Sequence, residues 1–591
     1  MVNFILFNLC PENEDADMGS SDLDDRSTSE GEYSTMDDVE VSREAEELSP
    51  DKKKRKTFRG TEEIVTEKLC LLLDRCNISN RDALRVIIAT SEALGFNSLG
   101  LILNRETIRL RRQKFRQQWV ELIKDRFTNS DLEGAVVHWD GKLLPDILGK
   151  EVVERLAVLI SCGPEEQLIA VPKLENNRGI SQAKAVVSAV AEWGATEKIQ
   201  AMCFDTTSTN TGCYRGACVI IEQLFKRDLL HLACRHHILE VILRAVFECK
   251  MGTTTGPHPD IFKKFCSQWS KLDKAKYRVG IEEDSIKSKI INIDEISGFL
   301  TENLAQQQPR DDYKEFLQLC LIFLGKIPSK DVSFRIPGAI HHARWMAKAI
   351  YSLKIYLFRD QFSLTHSQRK CFEDICLFIV NIYVKAWFTA PSPTLAPHSD
   401  IKLLKSLVMY REIDCEIAEN ALSKIQNHLW YLSSEVVAFS FFDESLEKNV
   451  KIRMASKLTA YDKDYDHGED RDVKAVLTKE QINNILDKDL DFFVTPATLR
   501  FFERFKIDTD FLMTDPDEWQ RNENFVRANR IVRNLKVVND SAERGVKLMT
   551  DFNTCLTKDE EQKQYLLQVV AECRKLYPDA SKATLCLPLA C

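Results

Sequence analysis

A change of texture at Glu133 divides this 591-residue chain and narrows the folds open to it. Upstream, EEIVTEKLCLLL, RDALRVIIATSEAL and NRETIRLRRQKFRQQWVELIKDRF repeat apolar residues at spacings of three and four, the period of helices with one buried face. Downstream, AVVHWDGK, ERLAVLISCG and EQLIAVPKLE are β-rich runs parted by turn-forming residues. They lead into a helical SQAKAVVSAVAEWG, a strand IQAMCFD, a helix YRGACVIIEQLF, a strand LLHLAC and a helix from His237 through Phe247. The order β-β-β-α-β-α-β-α predicts a mixed α/β core, with three antiparallel strands joined to parallel ones through helices. KMGTTTGPHP then breaks the pattern, and from Asp260 to about Arg530 strand signals almost vanish. Two helical stretches follow, from Val538 into KLMTDF and over DEEQKQYLLQVVAECRKLY, and the tail from Pro578 is expected to fray.

Charge separates the first fifty residues from the rest. Residues 1–50 hold 15 Asp/Glu against Arg26 and Arg43, a net of −13, which leaves about +4 on the remainder. So acidic and apolar-poor a leader cannot bury enough surface to offset ordering entropy, and disorder is expected. It ends at Lys52-Lys53-Lys54-Arg55-Lys56, a nuclear-address or nucleic-acid patch or a solvated run balancing the acids. The opening MVNFILFNLC lacks a basic n-region and a cleavage site, so no secretory signal is expected. The longest apolar run, Leu319 to Leu324, is far shorter than the ~18 residues of a membrane span, and no membrane partner is expected. Scattered cysteines suit buried thiols in a reducing compartment. Along the third helical run, Arg105, Arg109, Arg112 and Arg116 fall on one face, either a stripe for DNA phosphates or a soluble face with Phe115 and Trp119 buried opposite.

Two acids end strands. Asp140 stands in HWDGK and Asp205 in CFDTTSTNTG, and carboxylates on neighbouring strands can clamp two Mg2+ or Mn2+ ions, stabilising the attacking and leaving oxygens of a phosphodiester. Asp140-Gly141 is also a type I′ hairpin signal, and Asp205 before Thr-Thr-Ser is also a helix cap. The strand and helix order is that of a ribonuclease-H-like fold, although other mixed α/β folds share it.

DTTSTNTG, HLACRHHILEVIL and a later ARW, taken in order, resemble the hAT superfamily of cut-and-paste DNA transposases. The resemblance spans roughly Glu133 to Asn553. It implies that Asp205 is the second catalytic acid, that Cys234 and His237 form the family's Cys-x-x-His pair, and that a large all-helical insertion separates the second and third acids. Arg344 and Trp345 match its Arg-Trp motif, with Trp345 stacking on a flipped base and Arg344 holding phosphate, or else Trp345 is core. Glu543, in NDSAER, matches the third acid; Asp540-x-x-Glu543 also has capping-box spacing, and Asp540 is the substitute if Glu543 fails. Cys234 and His237 are expected to brace the strand-helix junction, since a lone Cys-x-x-His is a weak zinc signal. The run after Glu543, RGVKLM, departs from the family, which bears on oligomerisation.

The expected organisation is a leader (1–56), a helical, DNA-binding region (57–132), the first part of a ribonuclease-H-like core (133–259), an all-helical insertion (260–530) and C-terminal helices completing the core (531–591). The expected function is that of a nuclear hAT-like transposase or a protein derived from one, a homo-oligomer that cleaves and transfers DNA strands with Mg2+ or Mn2+ on Asp140, Asp205 and Glu543. The alternatives are a non-catalytic DNA- or chromatin-binding descendant and a ribonuclease-H-like nuclease acting on another nucleic acid.

Overall fold

The computed structural model describes residues 63–578, apart from 131, 147–150, 254–258, 327–333, 338–345, 461–471, 554–556 and 558. The acidic leader, the cluster at residues 52–56 and the tail beyond residue 578 lie outside the described residues. The described chain forms two compact units, residues 63–117 with 572–578 and residues 118–571.

In the first unit, Thr66 caps α1 (Glu67–Arg75) by accepting from the Leu69 N–H, and Ser79 caps α2 (Asn80–Ala93) by accepting from the Asp82 N–H. Both helices turn apolar faces inward, with Val65, Cys70, Leu73, Ala83 and Ile87 packing on Ile108 of α3 (Arg105–Asn129). Arg112 and Arg116, expected on a phosphate-facing stripe, are instead buried against Asp74 of α1. Arg112 Nε donates to Asp74 Oδ1 at 2.7 Å, and Arg116 donates through Nε to Oδ2 and through Nη2 to Oδ1, both at 2.7 Å. A carboxylate shared by two guanidiniums draws both side chains inward and removes both cations from the surface, although one positive charge of the three groups is left over. Arg105 stays exposed, and Arg109 is half-exposed and paired with Glu106.

The second unit is built on a mixed sheet. Its strands are β1 (Ala135–Pro145), β2 (Val152–Cys162), β3 (Glu165–Ala170), β4 (Lys173–Leu174), β5 (Ile199–Phe204) and β6 (Leu230–Ala233). The order is β3-β2-β1-β5-β6, with β4 pairing β2. β1, β2 and β3 are antiparallel neighbours, while β1, β5 and β6 run parallel. Helix α4 (Gly179–Glu192) follows β4, α5 (Ser208–Thr211) and α6 (Ala217–Phe225) lie between β5 and β6, and α7 (Arg235–Met251) follows β6. β2 is apolar on both faces from Leu156 to Ile160 because both are covered.

The hairpin reading of Asp140-Gly141 is not realised, because β1 stays paired with β2 from Val136 opposite Ser161 to Pro145 opposite Val152. Asp140 sits opposite Ala157 and Gly141 opposite Leu156, inside the strand. Strand alternation puts His138 and Asp140 on one face and Trp139 and Gly141 on the other. The first face is covered by the helix Asp540–Asp551, which approaches closely only because residue 545 is glycine. A Cβ there would stand 3.0 Å from Ala157 Cβ and 3.1 Å from Leu159 Cδ1. Leu144, Ala157, Leu159, Leu168, Leu548, Met549 and Phe552 close this core together with Leu566, Leu567 and Val570 of the helix Glu560–Leu576.

From Asp260 to Asn534 the described residues form α-helices, short 3₁₀ turns and a π-helical turn at Ile379–Tyr383, with no strand. Buried contacts tie this helical stretch to the sheet. Tyr431 Oη donates to the Ala233 carbonyl at 2.7 Å, and Arg235 pairs with Asp400 at 2.6 Å. Among the described residues no helix is long and apolar enough to cross a membrane. Thirteen described cysteines are free thiols, whereas Cys76 is disulfide-bonded, a departure from the all-thiol expectation.

Candidate functional site

The last parallel pair of β1 and β5 sets His138 beside Cys203. Two residues further along each strand stand Asp140 and Asp205, 65 positions apart in sequence and both at the lining of one cavity of about 110 Å3. β5 stops at Phe204 while β1 runs on to Pro145, so β1 beyond Asp140 has lost its parallel neighbour and the cavity lies at that step. Its other lining residues include Trp139, Gly141, Glu154, Gln182, Thr207 and Asn210.

The loop after β5 fixes one oxygen of Asp205. Oδ1 accepts from the Thr207 N–H at 3.2 Å, the Thr207 hydroxyl at 2.7 Å and Asn210 Nδ2 at 2.6 Å. Asn210 is itself held by Trp139, whose Nε1 donates to its Oδ1 at 2.9 Å, and the Trp139 ring stacks on Phe204 with centroids 5.8 Å apart. Asp205 therefore braces a loop; the residue capping the following short helix is Thr207. Among the described residues no hydrogen bond reaches Asp205 Oδ2.

The helix Asp540–Asp551 is anchored one residue before its start. Asn539 donates through Nδ2 to the Trp139 carbonyl at 3.0 Å, accepts on Oδ1 from His138 Nδ1 at 3.1 Å, and its backbone N–H reaches Cys234 Sγ at 3.1 Å. With Nδ1 donating, His138 Nε2 accepts from the Ser161 hydroxyl at 2.8 Å. Burial pushes the His138 ring down to about 4, so it stays neutral and serves as a hydrogen-bonded strut. Cys234, the residue before α7, thus links the end of β6 to the Asp540 helix.

Asp540 points toward α7 and the helical stretch. Its Oδ1 lies 2.9 Å from His236 Nδ1, and its Oδ2 accepts from Tyr313 Oη at 3.1 Å. Burial would raise this acid, but the His236 charge and hydrogen bond overcome it and hold the carboxyl at about 2. His236 stacks flat on Trp387, with ring centroids 3.9 Å apart. Glu543, one turn later, is not among the residues lining the cavity; its Oε2 lies 3.7 Å from Arg310 Nη1. The capping-box alternative for Glu543 is not realised, since Asn539 is the N-cap and no side chain caps the helix. Among the described residues no three His, Cys, Asp or Glu side chains are gathered closely enough to hold an ion.

Asp140 and Asp205 are thus brought to one cavity, while Glu543 and Asp540 face Arg310 and His236. Arg344 and Trp345 lie outside the described residues. Sequence reasoning passed over Glu154, whose only signal was a charge inside the apolar run ERLAVLISC, and the His236–Tyr313–Asp540 contact, which joins three distant segments without a motif. No protein-family model and no curated protein matches this chain.

Proposed function

We propose that this chain is a hAT-like DNA transposase, or a protein derived from one, with a ribonuclease-H-like core interrupted by a helical insertion. The observation that carries the reading is the delivery of Asp140 and Asp205, from adjacent parallel strands, to one oxygen-lined cavity. The strand order β3-β2-β1-β5-β6, with β2 antiparallel to its neighbours, supports the same core. DNA and further copies of the chain are the proposed partners, and the nucleus the proposed location.

The donor set suits Mg2+ or Mn2+, which prefer oxygen ligands: the carboxylates of Asp140 and Asp205, with side-chain amides and threonine hydroxyls at the same cavity. Asp140 and Asp205 would hold the metal, whose chemistry is to generate a hydroxide nucleophile and to stabilise the leaving oxygen of a phosphodiester. The protein supplies orientation. Thr207 and Asn210 fix one Asp205 oxygen and leave the other to the cavity, and the Trp139–Asn210 bond locks the loop to β1. Glu543 enters as third acid by release from Arg310.

A second reading, a non-catalytic DNA- or chromatin-binding descendant, is favoured by that same Glu543–Arg310 pairing. Incubating the full chain with Mg2+ or Mn2+ and duplexes carrying the ends of its own element separates the two. The transposase reading expects nicking or cleavage that Asp205→Asn abolishes while DNA binding persists. Equal cleavage by variant and wild type removes Asp205 from the chemistry, and binding without cleavage by wild type selects the non-catalytic reading.

A further inference from the structure

Among the described residues Tyr214 is the most exposed of the large apolar and aromatic side chains, at 87%. It stands between Cys213 and Arg215, both exposed, in the turn that joins α5 to α6. A single exposed aromatic needs no explanation on its own, but this one is carried on a braced turn. The Gly212 N–H donates to the Ser208 carbonyl at 3.0 Å, and the Gly216 N–H to the Gly212 carbonyl at 2.8 Å. The turn is also pressed against the wall of the cavity that Asp140 and Asp205 line, where Thr209 and Asn210 are lining residues. A Cβ on residue 216 would stand 2.5 Å from the Asn210 carbonyl oxygen. One on residue 179, at the start of α4, would collide with the Arg215 carbonyl oxygen and stand 2.8 Å from that of Thr209. Only glycine permits both approaches. Tyr214 is therefore held beside the cavity before any ligand arrives, which lowers the ordering cost of binding.

Two cations accompany it. Arg215 follows Tyr214 directly, and Arg178, the residue before α4, follows Asn177, another lining residue. Both guanidiniums are exposed, and among the described residues neither forms an ion pair. Arg155, Arg235 and Arg544 of the same unit are all paired. The contact of Gly179 with Arg215 sets the two unpaired cations on adjoining segments. An aromatic face beside unpaired guanidiniums fits a nucleic-acid strand, whose bases stack on rings and whose phosphates take bidentate hydrogen bonds from Arg. A protein partner calls for a wider apolar patch, and the neighbours of Tyr214 in the turn, Cys213 and Arg215, supply none.

We propose that Tyr214 is a stacking platform for an unpaired base of a nucleic-acid strand beside the Asp140–Asp205 cavity, with Arg178 and Arg215 on the neighbouring phosphates. The inference rests on the reading of that cavity as the place where DNA is cut. A duplex hides its base faces, so the platform acts on a strand that is open at the point of cutting.

The test is fluorescence anisotropy with two probes, a fluorescein-labelled oligothymidylate and the blunt duplex it forms with oligoadenylate, both in EDTA so that no cleavage intervenes. Each is titrated with the full chain as wild type, Tyr214→Ala, Tyr214→Phe and the double variant Arg178→Gln/Arg215→Gln, and the melting temperature of every variant is recorded. Tyr214→Ala should bind the single strand about 5- to 150-fold more weakly, the range that stacking of one base supplies, and should bind the duplex as wild type does, with an unchanged melting temperature. Tyr214→Phe keeps the ring and should match wild type on both probes. The double variant should flatten the slope of log affinity against log salt on the single strand by about 1.4, at about 0.7 per phosphate; an unchanged slope removes the two arginines from the strand. Wild-type affinity of Tyr214→Ala for the single strand, a loss in Tyr214→Phe as large as in Tyr214→Ala, or an equal loss on strand and duplex overturns the platform and leaves the reading of the cavity standing. Failure of folded wild type to bind either probe overturns both.

Discussion

Replacing Asp74 by Asn should unfasten the first unit. Asp74 and Arg112 are each 1% exposed and Arg116 4%. The substitution removes the one negative charge between two buried guanidiniums and turns an accepting oxygen into a donor facing donors. Breaking a buried ion pair from one side costs about 3–5 kcal/mol. Arg112 keeps the Ile78 carbonyl at 2.9 Å and Asn80 Oδ1 at 2.7 Å, whereas both described hydrogen bonds of Arg116 go to Asp74. The loss should therefore fall near the lower end, about 3 kcal/mol, with Arg116 bearing most of it. Hydrogen exchange of the full chain, read on peptides from α1 and α2, measures this without requiring the whole molecule to unfold in one step. A drop in protection free energy of about 3 kcal/mol is expected there, with the strands of the second unit unaffected. Arg109→Gln, at a half-exposed position paired with Glu106, is the control and should leave exchange unchanged. A loss below about 1 kcal/mol in Asp74→Asn, within the range of exposed pairs, would refute the buried triad and return Arg112 and Arg116 to the surface stripe.

Two further outcomes are expected. Asn539→Leu leaves the His138 Nδ1–H and one Trp139 carbonyl contact unmade; at about 1–3 kcal/mol per buried group it should cost about 2–6 kcal/mol and open the helix Asp540–Asp551 to hydrogen exchange, and unchanged protection there would disprove the anchor. Burial raises the Glu154 acid above its ordinary 4.5, so the folded chain binds that proton more tightly than the unfolded chain and the associated stability is lost as pH rises from about 4.5 through the raised value; the melting temperature of metal-free Glu154→Gln should therefore gain on wild type as pH climbs from 4.5 to 7, and a constant difference would show the acid is not strained.

The strands and helices of the sheet were legible because their signals are local. The β-rich composition of AVVHWDGK, ERLAVLISCG and EQLIAVPKLE and the turn residues between them mark β1 to β3; Asp205 follows from being the acid just after a strand, whereas Asp140, read as a strand end, lies inside β1. What escaped depends on partners far away in sequence. Arg112 and Arg116 have the spacing of a surface stripe, and only Asp74, 38 and 42 residues earlier, turns them inward. Asp140-Gly141 has the composition of a turn, but the pairing partner of Gly141 is decided by β2. Glu543 matched a motif by order alone, and neither order nor spacing reports that Arg310 lies beside it.

The helix Asp540–Asp551 seals one face of a sheet whose last strand ended at Ala233, some 300 residues earlier. At roughly 5–20 residues per second, a ribosome needs about 15–60 s to deliver it. During that interval Ala157, Leu159 and Leu168 have strands beneath them and no lid above. The nascent chain is then a half-finished sandwich with an apolar face open to other nascent chains. Production of soluble protein should hence depend more on the speed of synthesis and on chaperone supply than the stability of the finished fold suggests. A core split by so long an insertion ties its own folding to the progress of translation.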